Sequence, residues 1–317
     1  MVIICIFGME SQYGEMIWIK LIMKNLKEFI TEKLRVNKDS ISSKGKVKTK
    51  YHPENKEELE KLIKKLLNER GENADLNDID VSQIDDMSGL FSYDRYNASS
   101  KNFNGDISNW DVSNVKWMQS MFSYSDFDGD ISEWDVSNVK SMASMFQHCK
   151  FNSDISEWDV SNVEDMQWMF SAADEFDQDI SKWDVSGVHN MQSMFNCAYK
   201  FNQDISRWDV SNVTDMADMF RKTEKFNQDI SSWDVSGVKS MRNMFEESSF
   251  NQDISKWNVS NVTGFYNMFR KSKFDKNLNN WKINKDALLY NMFDNCPIKA
   301  KNKLPKWYHE EKETVFL

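Results

Sequence analysis

The chain has 317 residues, 40% of them hydrophobic, and a formal net charge of -10 at pH 7. It is therefore long and apolar enough for a large buried core, and it is not a disordered polymer. The acidic balance speaks against nucleic-acid binding by a repeat surface, since that needs Lys and Arg clustered against phosphates.

The opening, residues 1–22, is apolar in patches but lacks a basic leading region and is broken by Glu10 and Glu15. It reads neither as a signal peptide nor as a membrane span. A translation start at Met23 would make it a mis-annotated extension. Residues 23–50 then form one segment, an amphipathic helix (Leu26, Phe29, Ile30 and Leu34 on one face) followed by the basic linker KDSISSKGKVKTK. Nine Lys or Arg stand against three Asp or Glu in residues 24–50. A second helix is predicted over 54–70: Pro53 lies at its start, Leu59, Leu62, Ile63, Leu66 and Leu67 form its stripe, and Gly71 stops it. Within 51–75 this helix is expected to cap the array that follows.

That array, residues 76–293, is dominated by tryptophans at 110, 134, 158, 183, 208, 233, 257 and 281, spaced by 24 or 25 residues. Such a period fits one coil of a solenoid, in which each unit buries its apolar face only against its neighbours. Nine units are expected from Ile79 to Phe293. The first interval carries an insertion around Tyr93 to Ser100, a loop position suited to binding. The last unit decays, with Lys282 for the usual Asp and Leu289 for a Met, and residues 294–317 close the chain, Trp307 and Tyr308 covering the final coil.

Within one unit, Ile205, Trp208 and Val210 predict a short strand near 207–211, and Asn212 is placed to cap a helical turn carrying Val213, Met216, Met219 and Phe220. The expected fold class is an α/β repeat solenoid, leucine-rich-repeat-like, with a parallel β-sheet on one face, short helical turns on the other and an N-terminal helical cap. Trp110, Trp134, Trp158, Trp183, Trp208, Trp233, Trp257 and Trp281 are its structural core, with Met filling irregular space.

The sequences WDVSNVTDM and FNQDIS, with the recurring Met-Phe pair, resemble the BspA-like surface-protein repeats, a branch of the leucine-rich repeats. The similarity covers residues 76–293, and YHPENKEELEKLI and GENADLNDIDVS resemble the leader that precedes such arrays. The resemblance implies adhesion or binding to host or matrix proteins at the cell surface or after secretion, and no catalytic residues. No lipobox cysteine or anchor accompanies it here.

Two acidic columns run along the array. Asp106, Asp130, Asp154, Asp179, Asp204, Asp229 and Asp253 precede Ile, and Asp111, Asp135, Asp159, Asp184, Asp209 and Asp234 follow Trp. They are expected to accept hydrogen bonds that fix turns. Calcium would demand Gly-rich turns with converging oxygens, which are missing. Glycoside hydrolysis would demand two carboxylates in unlike surroundings, whereas these recur in equivalent ones. The four cysteines give no framework. Cys149 and Cys197 follow the Met-Phe pair two units apart, so their Cα atoms should stand about 10 Å apart, too far to bridge. Neither Cys5 and Cys296 nor the four histidines (52, 148, 189, 309) have metal-ligand spacing. No metal or cofactor is expected.

Recognition is therefore sought where the units differ. The residue before each Trp runs Asn109, Glu133, Glu157, Lys182, Arg207, Ser232, Lys256, Asn280, a stripe passing from acidic to basic. Trp117 and Trp168 stand where other units carry small or polar residues, and exposed Trp is a frequent interface anchor. The sequence thus predicts a non-catalytic, monomeric binding scaffold for a protein (or glycan) ligand. The alternatives are a structural spacer or virion component, a calcium-dependent adhesin, or an enzyme with a cryptic cleft.

Overall fold

The computed structural model describes residues 49–93 and 102–309, all within the unit Thr49–Leu317. The segments expected as an extension and as a helix with a basic linker lie, up to residue 48, outside the described residues. So do most of the insertion, residues 94–101, and the last residues, 310–317.

Helix α1, Lys56–Arg70, starts two residues later than its apolar stripe alone suggested, because Asn55 caps it. The Asn55 side chain accepts the Glu58 N–H at 3.0 Å, and Glu58 Oε2 accepts the Glu54 N–H at 3.1 Å, a reciprocal cap that satisfies two otherwise orphaned donors. Gly71, at φ +88°, ends the helix and returns its N–H to Leu67 O. Leu59, Ile63, Leu66 and Leu67 are buried in the same apolar cluster as the repeats, and the Arg70 guanidinium grips Asp78 of the first unit through bonds of 2.9 and 2.8 Å. The only other helix among the described residues is α2, Pro297–Ala300, a single turn with Pro297 at its start.

Between these helices, neighbouring units are joined by single parallel bridges along one column: Asp86, Trp117, Ser141, Asp165, Asn190, Asp215, Ser240, Gly264 and Leu288. Around Asp215 the pattern is plain. The N–H groups of Met216, Asp218, Phe220 and Lys222 donate to Ser240 O, Arg242 O, Met244 O and Glu246 O of the next unit at 2.8 to 3.0 Å. The intervening N–H groups of Met219, Arg221 and Thr223 close turns on Met216 O, Asp218 O and Phe220 O within the unit. Asp218 and Lys222 take left-handed conformations, φ +60° and +59°, and so do their equivalents in the neighbouring units. Two such residues four apart cannot sit in an α-helix, so the chain forms consecutive turns.

The sequence expectation therefore needs correcting at both ends of the unit. Segment 207–211, expected as a strand, is a turn and irregular backbone: Trp208 N–H closes on Ile205 O, and Ser211 N–H goes to Asp209 Oδ1. Segment 213–220, expected as a helical turn, carries the backbone ladder instead. Asn212 caps no helix, and its Nδ2 donates to Ser186 O of the preceding unit. No continuous sheet forms among the described residues.

Side chains bind the units a second time. Each core indole donates to a main-chain oxygen of the unit before it, as Trp208 Nε1 does to Ile180 O at 3.1 Å and Trp233 Nε1 to Ile205 O at 3.1 Å. Trp307 repeats this bond to Leu278 O at 2.8 Å and stacks on Trp281, so it continues the tryptophan column. Phe220 and Phe226 stack at 4.1 Å inside one unit, and Phe220 meets Phe245 of the next at 5.8 Å. The Met side chains of the ladder, Met216 and Met219 among them, are fully buried. A third tie was not legible in advance: Asn202 Oδ1 accepts the N–H of Asn227, whose Oδ1 accepts that of Asn251.

Trp208→Ala is expected to cost about 3–5 kcal/mol through its cavity. Trp208→Phe keeps most of the ring but removes the indole bond to Ile180 O, which still accepts the Trp183 N–H, at about 0.5–1.5 kcal/mol. Urea denaturation of the two variants beside the parent checks the order; a Phe variant as stable as the parent would remove the indole bond from the account.

Candidate functional site

The stripe before the tryptophans is exposed throughout, from Asn109, Glu133 and Glu157 through Lys182, Arg207 and Ser232 to Lys256 and Asn280. Its acidic and basic parts meet in an ion pair, Lys182 Nζ to Glu157 Oε1 at 2.6 Å. Ser232 Oγ is tied to Ser206 O. The two Asp columns flank the stripe and are exposed as well. Each works as a turn fastener: Asp204 Oδ1 accepts the Ser206 N–H at 2.9 Å, and Asp209 Oδ1 the Ser211 N–H at 3.0 Å. Hydrogen bonds from the serine two residues on hold the carboxyls of Asp135, Asp179, Asp204, Asp229, Asp234 and Asp253 below the usual range. Thirteen Asp residues of these columns face five charged stripe residues, Glu133, Glu157, Lys182, Arg207 and Lys256, so this surface is acidic from the unit of Trp110 to that of Trp233 and loses its negative charge where Asn258, Asn277 and Lys282 replace Asp.

Trp117 and Trp168 lie elsewhere, on the ladder segment, and the structure does not bring them to the stripe. Trp117 is a bridge residue with 42% of its surface exposed. Trp168 is half-buried and left-handed, φ +59°, at a position filled by Ser193, Asp218 and Asn243 in later units. A bulky residue there costs about 1–2 kcal/mol in backbone strain.

Sequence reasoning missed how the ladder segment divides. From the bridge residue onward, five positions per unit lie outside the Met and Phe columns, as Asp215, Ala217, Asp218, Arg221 and Lys222 do in the unit of Trp208. In the units of Trp208 to Trp281 these positions hold ten formal charges: Asp215, Asp218, Arg221, Lys222, Arg242, Glu246, Glu247, Arg270, Lys271 and Asp294. In the units of Trp110 to Trp183 they hold one, Asp165, with histidine counted neutral. The information was in the sequence, but only the register of the ladder shows which positions to compare.

The charged half is a closed network. Glu246, 3% exposed, accepts from Arg221 Nε at 2.7 Å on one side and from Arg270 on the other. Asn243 donates to Asp218 Oδ1 at 2.9 Å, while burial pushes the Asp218 carboxyl up. Arg242 bonds the Tyr266 hydroxyl, and Tyr266 stacks on Tyr290 at 4.9 Å.

Cys149, Cys197 and Cys296 are free thiols. Cys149 and Cys296 take the same place in their units, donating to Phe127 O and Phe274 O, and burial raises the Cys149 thiol to about 11. Cys197 is one residue out of that register, at the left-handed position, and only half-buried, so it does not take the place of Cys149 in its unit. Among the described residues no group of three or more His, Cys, Asp or Glu could hold a metal ion, and no helix is long and apolar enough to cross a membrane. A shallow depression lined by Asn104, Asp126, Asp128, Lys150, Asn152 and Glu175 is open, and its groups largely bond one another, as Lys150 does Asp126 at 2.9 Å.

These features define a repeat protein whose units are tied by backbone, indole and amide bonds to the units beside them. Residues 58–150, 126–221 and 200–307 match the family model described as "Mycoplasma protein of unknown function, DUF285", and the chain belongs to that family. No curated protein and no solved structure matches it.

Two outcomes follow from this geometry. Glu246 is far more buried than the guanidinium groups beside it, so Arg221→Ala with Arg270→Ala should destabilise more, by about 3–5 kcal/mol, than Glu246→Gln, which leaves cations that water can reach; urea midpoints test the order. The fastened Asp carboxyls have folded pKa values below the unfolded value of about 3.9, so their contribution is complete above that pH and is lost as pH falls through the folded values. Asp275, held at about 2 by Lys301 and Asn251, extends the window downward. Thermal melts should therefore be level from about pH 7 to 5 and fall below about pH 4; a melting temperature unchanged down to about pH 2 would contradict the assignment.

Proposed function

We propose that the chain is a non-catalytic recognition scaffold, a solenoid that binds a protein partner along the stripe between its two Asp columns. One observation carries the reading: the residues that the units share are consumed by indole, Asx and amide bonds, whereas the stripe residues vary in charge from unit to unit and remain exposed. An extended row of this kind suits a macromolecule better than a small ligand, which needs a deep pocket. The surrounding Asp columns favour a partner that presents basic side chains, with Glu157, Lys182, Arg207 and Lys256 setting register through complementary charge. The likeness of WDVSNVTDM and FNQDIS to BspA-like surface repeats supports adhesion as the purpose of such binding.

The test is capture from host lysate and matrix proteins by the full chain, beside a variant carrying Glu133→Lys and Glu157→Lys. The expected result is a basic partner held by the parent, lost or at least tenfold weakened in the folded variant, and released as salt rises. No salt-sensitive capture by the parent would favour a structural spacer.

A further inference from the structure

We propose that the charge-poor half of the ladder, on the units of Trp110 to Trp183, is a separate binding face for a neutral glycan, with Trp117 and Tyr124 as the rings on which sugar units stack. The proposal goes beyond the protein-partner reading, because it concerns another segment of the unit and another class of ligand.

The division of charge is its first support. At the five positions that run from the bridge residue onward, the later units carry ten formal charges and the earlier ones a single Asp165, whose carboxylate is taken by the amide N–H and the Nε2 of Gln167 at 3.1 and 3.0 Å. Nucleic acid and acidic polymers need clustered free Lys or Arg, and the two lysines beside this half, Lys116 and Lys140, are paired with Asp85 and Glu164 at 3.5 and 3.7 Å. Protein hot spots draw on Arg beside Trp and Tyr, and here Arg is missing. What remains is aromatic rings, amides and hydroxyls, which match the alternating C–H faces and hydroxyl groups of an uncharged sugar.

The second support is how the rings are presented. Tyr124, 46% exposed, lies flat on His148 with centroids 4.4 Å apart and planes within 18°, so its ring is a braced platform. Trp117, 42% exposed, lies on the same unit and belongs to none of the aromatic stacks of the core. Trp168 stands two units on, at a position that Ser or Asn fills elsewhere at lower backbone cost. Indole and phenol rings that the fold does not consume, set among amides free of charge, are the makings of a stacking subsite.

Isothermal titration of the full chain with hexamers of β-linked glucose, mannose and N-acetylglucosamine, and with heparin as an anionic control, tests the proposal. The expected result is binding of at least one neutral hexamer with an affinity indifferent to salt. Trp117→Ala and Tyr124→Ala should each weaken it at least tenfold, Trp117→Phe should retain it, and Arg207→Glu with Lys256→Glu should leave it unchanged. Failure of every hexamer, undiminished binding by Trp117→Ala, or preference for heparin overturns the proposal. So does a protein partner whose capture depends on Trp117. A chain that binds no hexamer but still captures a basic protein through its stripe refutes the glycan face alone.

Discussion

An isolated unit of this chain would leave four backbone N–H groups of its turn segment without acceptors. In the unit of Trp208 these belong to Met216, Asp218, Phe220 and Lys222, and all four are satisfied only by carbonyls of the next unit. Buried amides without partners cost about as much as a lost hydrogen bond each, so a unit cannot hold this conformation until its neighbour is in place. The indole bond to the preceding unit and the Asn ladder act in the same direction, each spanning one step of the stack. Stability is thereby a property of adjacent pairs, and the ends need covering: α1 and the Arg70–Asp78 pair serve the first unit, Trp307 and Tyr308 the last.

The period, the helix before the array and the buried tryptophans were legible in the sequence, because they depend on apolar spacing alone. The local conformation was not. Met216, Met219 and Phe220 have the spacing of one face of a helix, yet consecutive turns with left-handed residues at Asp218 and Lys222 bring the same three side chains inward. Neither of those residues is glycine, so the usual turn signal was missing. The tryptophan segment misled for the opposite reason: Trp208 and Val210 alternate as in a strand, but the backbone around them is occupied by Asx bonds from Asp204 and Asp209. The Asp columns themselves were read correctly as turn fasteners.

Of the candidate site, sequence reasoning found the exposed stripe and the two unusual tryptophans but grouped them together. The ladder separates them and also shows that the later units spend their charges on one another around Glu246, while at the same positions the earlier units hold only Asp165. The acidic Trp-side surface and the charge-poor ladder half thus offer two chemically distinct faces on one set of units.

Length variation in the array is confined to a single corner. The 25-residue units carry their additional residue between the end of the turn ladder and the next Phe, as in Ala173 to Phe176, where the 24-residue unit has only Lys150 between Cys149 and Phe151. The larger insertion at residues 94–101 falls at the same corner, and Asp86 still pairs with Trp117 across it. That corner works as an expansion joint: it absorbs surplus chain before the register of the following unit is set. The array can therefore take up surplus residues at that corner while the indole bonds and the turn ladder of the neighbouring units keep their register.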